Sequence, residues 1–291
     1  MFIIKTVKYF FQAILIYLFF IIIKISGLTL SRKIFSYLFN IIGPLIKSEY
    51  TINNNLEKFL GSSNEDVKKK IKLKMWTNYG KTFVEYLYLK KFRNKNSHIK
   101  IKGEEILNKI KENNKPVIFV SGHFANFELM SMELTKKKIN LATIYRPLNN
   151  FFLNPFMKYI RKKYICQNQI KKGLAGVKDS INYIKNNFSI ALMIDQRVSE
   201  GKRLPFFEYM ALTTTLPAQM ALKFNLDIVP IYIARKANDN FEMEIYQPIQ
   251  SLDNQDAETN KLNMSIKLNK ILEGMISRDP EQWIWTHNRW K

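Results

Sequence analysis

Apolar and polar positions divide the chain into three regimes. Tyr9 to Ile23 (YFFQAILIYLFFIII) is apolar apart from Gln12 and is flanked by Lys5, Lys8 and Lys24. As helix this run is about 22 Å long, short of a hydrocarbon core of roughly 30 Å. Carried on to Leu30, with Lys24 snorkelling, it reaches about 33 Å. No small-x-small cleavage site follows, so residues 1–30 are expected to form a retained membrane anchor, spanning or deeply interfacial. Ser31 to Lys47 alternates basic and apolar residues, as in a helix lying on a membrane or packed on a core. Glu65 to Lys91 carries a long helical pattern with Trp76, Tyr79, Phe83, Tyr86 and Leu87 on one side. Residues 31–98 are thus expected to be helical, packing on both membrane and core.

From residue 99 to 291 the rhythm alternates between strand and helix. Strands are expected at Ile99–Lys102, Pro116–Ser121, Asn140–Tyr145, Ser189–Asp195, Asp227–Ala234 and Phe241–Tyr246. Helices fit Glu104–Asn113, Phe127–Lys137, Phe152–Lys163, Leu174–Asn186, Thr214–Phe224 and Glu258–Ser277. This alternation predicts an α/β fold, a mostly parallel sheet covered by helices on both faces.

Charge narrows the partners. Lys and Arg total 46 against 24 Asp and Glu, a formal net charge of +22 in 291 residues. Such a surface attracts anionic membrane, phosphorylated lipid, acidic protein or nucleic acid. No helix-turn-helix, zinc-finger or RNP-type signature accompanies it, so nucleic acid is not the expected partner. Arg32, Lys33 and Lys47 after the anchor favour a cytoplasmic body. The single cysteine, Cys166, excludes an intrachain disulfide, and three separated histidines argue against a His-rich metal site.

The candidate chemistry lies at strand ends. The run Val117–Val120 is followed by Ser121-Gly122-His123, and Glu128 stands five residues beyond the histidine. With His123 in a turn and Glu128 on the first helical turn, the carboxylate can reach back to the imidazole. A histidine so held is a general base with a fixed tautomer. His-x-x-x-x-Glu is a weak pattern alone, but two more strand ends carry functional groups: Arg146 before Pro147, and the pair Asp195-Gln196. Open α/β sheets place their chemistry at such ends. His287 and the tryptophans 283, 285 and 290 fit packing or a membrane interface better than a second site.

Together these features resemble the bacterial lipid A biosynthesis acyltransferases, the late lauroyl/myristoyl family within the glycerolipid acyltransferase superfamily. The blocks are GHFANFEL at 122–129, YRPLNN at 145–150, IRKKY at 160–164, KKG at 171–173, DQ at 195–196, PFF at 205–207 and PEQWIWTHNRWK at 280–291. Two departures are Arg197, where the family often has an acid, and the absence of an arginine in 166–172. The resemblance implies an inner-membrane enzyme with its body on the cytoplasmic face. It would move an acyl chain from acyl carrier protein to a hydroxyl of a phosphorylated glucosamine lipid. His123 and Glu128 would be catalytic, with Arg146, Arg161, Asp195 and Gln196 contacting substrate and no cofactor. Other acceptors (a phosphatidylinositol mannoside or a lysophospholipid, with acyl-CoA as donor) stay open. So does a non-catalytic basic binding protein tethered to a membrane.

Overall fold

The computed structural model describes residues 2–61, 65–250 and 256–291. The N-terminal apolar run opens a long helix, α1 (Phe2–Ile46), broken at Gly27, whose φ of 75° and ψ of 170° are not helical. The Ile23 carbonyl, one turn before the break, takes two side-chain donors. It accepts from the hydroxyls of Ser31 at 3.1 Å and Tyr88 at 3.0 Å. After α2 (Glu49–Leu60), α3 (Glu65–Glu85) crosses the second half of α1 closely. A Cβ on Gly80 would lie 2.2 Å from the Phe35 carbonyl oxygen, and one on Gly43 would enter the Trp76 ring. The expected single helix over 65–91 instead ends at Glu85, passes through one 3-10 turn at Tyr86–Tyr88 and resumes as α4 (Leu89–Asn94).

The body follows the predicted alternation. In order come β1 (Ile99–Lys102), α5 (Glu104–Glu112), β2 (Ile118–Ser121), α6 (Glu128–Lys136), β3 (Leu141–Tyr145), α7 (Asn154–Tyr164) and β4 (Asn168–Lys171). Then come α8 (Leu174–Lys185), β5 (Ser189–Met193), the hairpin β6 (Lys202–Phe206) and β7 (Tyr209–Thr213), and α9 (Leu216–Phe224). The last elements are β8 (Ile228–Arg235), β9 (Phe241–Ile245) and α10 (Ala257–Arg278). Seven strands form one sheet in the order β1-β9-β8-β2-β5-β3-β4, parallel except where β8 meets β9. The fold is the α/β class the sequence implies.

Alternation within the central strands divides the core between two faces. Ile228, Tyr232 and Ala234 join Ile118, Val120 and Ile190 beneath α9 and α10. Val229, Ile231 and Ile233 join Phe119 and Ala191 against α6. Strands apolar on both sides are the mark of a covered parallel sheet. A buried polar cluster locks the helical region to this core. Glu85 pairs with Arg235 and, at 2.6 Å, with Arg32, and it accepts from Asn126 at 2.9 Å.

Candidate active site

Neighbouring strands β2 and β5 end together, and their parallel register pairs Ser121 with Met193. Two residues further along each chain, His123 therefore stands beside Asp195. Gly122 permits this closeness, since a Cβ there would be 2.7 Å from the Phe124 ring and 3.3 Å from Asp195 Cβ. The following turn passes through Ala125, held at a φ of 44°. Its N–H donates to the Gln282 carbonyl at 3.0 Å, and its carbonyl accepts from Thr82 at 3.2 Å.

Asp195 is fully buried, and both its oxygens are engaged. Oδ1 faces His123 Nδ1 at 2.8 Å; Oδ2 accepts from the His123 backbone N–H and from the Trp283 indole N–H, each at 2.8 Å. Burial opposes ionisation here, but the imidazole and these donors together hold the carboxyl below the usual carboxylate range. An ionised Asp195 keeps the proton on Nδ1 and leaves Nε2 as the acceptor facing the cavity.

Glu128 does not make the expected contact. No hydrogen bond or ion pair joins it to His123. Its Oε1 accepts from Arg161 Nε at 2.7 Å, from Arg161 Nη2 at 2.5 Å and from the Tyr86 hydroxyl at 2.9 Å. The left-handed step at Ala125 turns the chain before α6 begins, and Glu128, in the first turn, faces α7 and the 3-10 turn instead. Burial works against the Arg161 charge, yet Glu128 raises its proton affinity overall; burial, then Glu128, likewise raises that of the Tyr86 hydroxyl. The carboxylate that meets the imidazole thus comes from the next strand, not from the same segment.

In front of His123 opens a cavity of about 510 Å³. Its wall includes His123, Glu128, Arg146, Arg161 and Gln196, so five of the six expected site residues face it, and Asp195 is buried behind His123. Leu192, Ile144, Leu216 and Ile284 give it an apolar side. Lys47, from the end of α1, and Lys172, after β4, complete a cationic rim with Arg146. None of these three side chains pairs with a carboxylate among the described residues. Partial desolvation, then the Arg146 charge, lower the proton affinity of Lys172, and Glu200, which forms no ion pair with it, opposes them more weakly. The rim is under-neutralised, as a receptor for an anion should be.

The C-terminal segment packs behind the site and also lines it, through Ile284, Thr286 and His287. Asn55 donates to the carbonyls of Trp285 and His287 at 2.8 and 2.7 Å. Arg289 donates to the Leu212 carbonyl and the Thr213 hydroxyl, each at 2.8 Å. His287 Nε2 accepts from the Arg197 N–H at 2.9 Å, and burial lowers its pKa to about 4, so the ring is neutral at physiological pH. Trp283 and Trp285 are buried, in accord with packing, but Trp283 also serves Asp195.

The model of the bacterial lipid A biosynthesis acyltransferase family matches residues 4–291. The chain belongs to this family. Among relatives, it is 23% identical over 196 residues to the lipid A biosynthesis palmitoleoyltransferase of Escherichia coli (strain K12), covering 66% of this chain and 61% of that protein. It is 22% identical over 187 residues to lipid A biosynthesis acyltransferase 2 of Shigella flexneri, covering 63% and 58%. The matches thus span less than two thirds of each relative's length. The segments that carry the resemblance at 122–129, 145–150, 160–164, 171–173, 195–196 and 280–291 are far apart in sequence, yet residues from each meet at this one cavity or directly behind it.

Sequence reasoning missed Trp283, Lys47, Lys172 and Tyr86 as parts of the site, and it set His287 aside as packing although that ring lines the cavity. Only register could have revealed the His123–Asp195 pair: both residues stand at equivalent places after strands of matching apolar length.

Proposed function

We propose that the protein is a membrane-bound O-acyltransferase that moves a fatty acyl chain from acyl carrier protein to a hydroxyl of a lipid A precursor. The observation that carries this reading is an imidazole with a buried carboxylate behind it, facing a cavity with one apolar side and an unpaired cationic rim. His123 Nε2 accepts the proton of the acceptor hydroxyl as its oxygen attacks the thioester carbonyl. The C–S bond then breaks, and the imidazolium returns the proton to the departing thiolate. Asp195 orients the ring and stabilises the imidazolium, as the carboxylate does in other acyl-transfer triads.

Glu128 fixes Arg161 in the wall. Arg161 keeps N–H groups beyond those given to Glu128, and these can meet the oxyanion. Arg146, Lys47 and Lys172 suit a phosphate of the acceptor, and Gln196 a neutral polar group. The acceptor resides in the bacterial inner membrane, the donor in the cytoplasm, so the body works on the cytoplasmic face.

The test is transfer from labelled lauroyl-carrier protein to a tetra-acylated, bis-phosphorylated glucosamine disaccharide by membranes carrying each variant. His123→Ala should give no product above background. Asp195→Asn should lose on the order of 10⁴ in turnover, the cost of the wrong tautomer in comparable triads. Glu128→Gln should fall between wild type and His123→Ala. Near-wild-type rates in His123→Ala would remove the base from the mechanism, and no product with folded wild type would remove the donor–acceptor pair.

A further inference from the structure

The first half of α1 has two apolar faces, and the body covers only one. On the covered side, Asn150 Nδ2 donates to the Tyr9 carbonyl at 2.8 Å and the Tyr17 hydroxyl donates to the Phe152 carbonyl at 3.2 Å. The Phe20 ring lies 5.2 Å from that of Phe156 on α7, and Ala13 and Ile23 are buried. At the end of this half, Lys24 Nζ donates to the Leu87 carbonyl at 2.8 Å. Contacts therefore run from Tyr9 to Lys24, about 22 Å of helix. On the other side Val7, Phe11, Ile14, Leu18, Ile21 and Ile25 are all exposed. Their spacings of three and four residues form one straight stripe, turned well away from the covered face.

We infer that this helix is a monotopic anchor, lying along one leaflet with its exposed stripe in the acyl chains and never crossing the bilayer. A crossing needs roughly 30 Å of helix free of the body. From Tyr9 to Lys24 the body holds the helix along its flank, leaving no such free length in that stretch, and Lys5 and Lys8 stand just before it. A crossing would instead drag α7 into the hydrocarbon, with its exposed Lys158, Lys162 and Lys163. A helix lying flat keeps these charges, Lys5 and Lys8 at the level of anionic headgroups.

The arrangement also places the cavity. Arg146, Leu148 and Asn149 line its mouth, while Asn150 and Phe152, next in the same loop, hold the anchor and Phe151 is exposed. The mouth therefore opens at the leaflet surface. None of this depends on the reaction the cavity performs.

The test uses the full-length chain in sealed vesicles of both orientations and a membrane-impermeant maleimide. Wild type is the blank, because its single cysteine, Cys166, is buried. Lys185→Cys, on an exposed turn of α8, reports the body, and Lys5→Cys reports the N-terminus. The expected result is labelling of both variants in the same vesicle orientation. Labelling of Lys5→Cys only in the opposite orientation, or in neither before detergent, would overturn the monotopic placement.

Discussion

His287 and Asp195 show burial acting on two titrating groups a few residues from the chemistry. The ordinary pKa of histidine is 6.5, and burial takes His287 to about 4. Between those values the unfolded chain binds a proton that the folded chain refuses. The resulting stabilisation is complete above about pH 6.5 and is lost as the pH falls toward 4. Melting temperatures should therefore fall on acidification through this window. His287→Gln should flatten the upper part of the slope, between about pH 6.5 and 5, before carboxylates titrate. An unchanged slope in that variant would assign the acid sensitivity to another group. Asp195 has the opposite ionisation but the same sign: its depressed pKa contributes above the usual carboxylate range and is lost only below it.

At the scale of elements, the crossing of α1 and α3 depends on backbones in contact. Gly80→Ala would set a methyl group 2.2 Å from the Phe35 carbonyl oxygen, so the helices must separate. Overpacking of this kind costs about 1–3 kcal/mol. The melting temperature of detergent-solubilised protein should drop by several degrees. Gly274→Ala is the control: it is exposed in the interior of α10, nothing lies within 4 Å of the added Cβ, and helix propensity alone should leave it neutral or slightly stabilised. Equal effects of the two substitutions would show that the crossing does not depend on Gly80. The elements hidden from the sequence have local explanations. β4 is a polar edge strand paired only with β3, so it shows no apolar alternation. The β6–β7 hairpin turns through Phe207 and Glu208 at φ of 48° and 65°, where Asn-Gly would have announced a turn, and Pro205 interrupts its first strand.

For the whole molecule, a net charge of +22 attracts acidic surfaces at long range, and the proposed donor, an acyl carrier protein, would present one. Exposed charges are screened beyond about 8–10 Å at physiological salt. Raising ionic strength should therefore raise the KM for acyl carrier protein while changing the rate at saturation much less. A KM insensitive to salt would argue that the carrier does not dock on the basic surface. The same charge distribution suits a body held against an anionic leaflet by a helix along its flank.

The sequence by itself determined what depends on local pattern. The β-branched runs and their turns placed six of the seven sheet strands, the apolar run placed the long N-terminal helix, and strand ends bearing His123, Arg146 and Asp195 pointed to one rim. Strand order and register decided the rest. His123 and Asp195 are 72 positions apart and become neighbours only because β2 and β5 pair. Glu128, five residues from His123, is carried away by a single left-handed step. Trp283 reaches Asp195 because the C-terminal segment is pinned behind the sheet. Proximity along the chain is a weak guide to proximity of side chains once the backbone turns, and burial and charge depend on neighbours that only packing supplies.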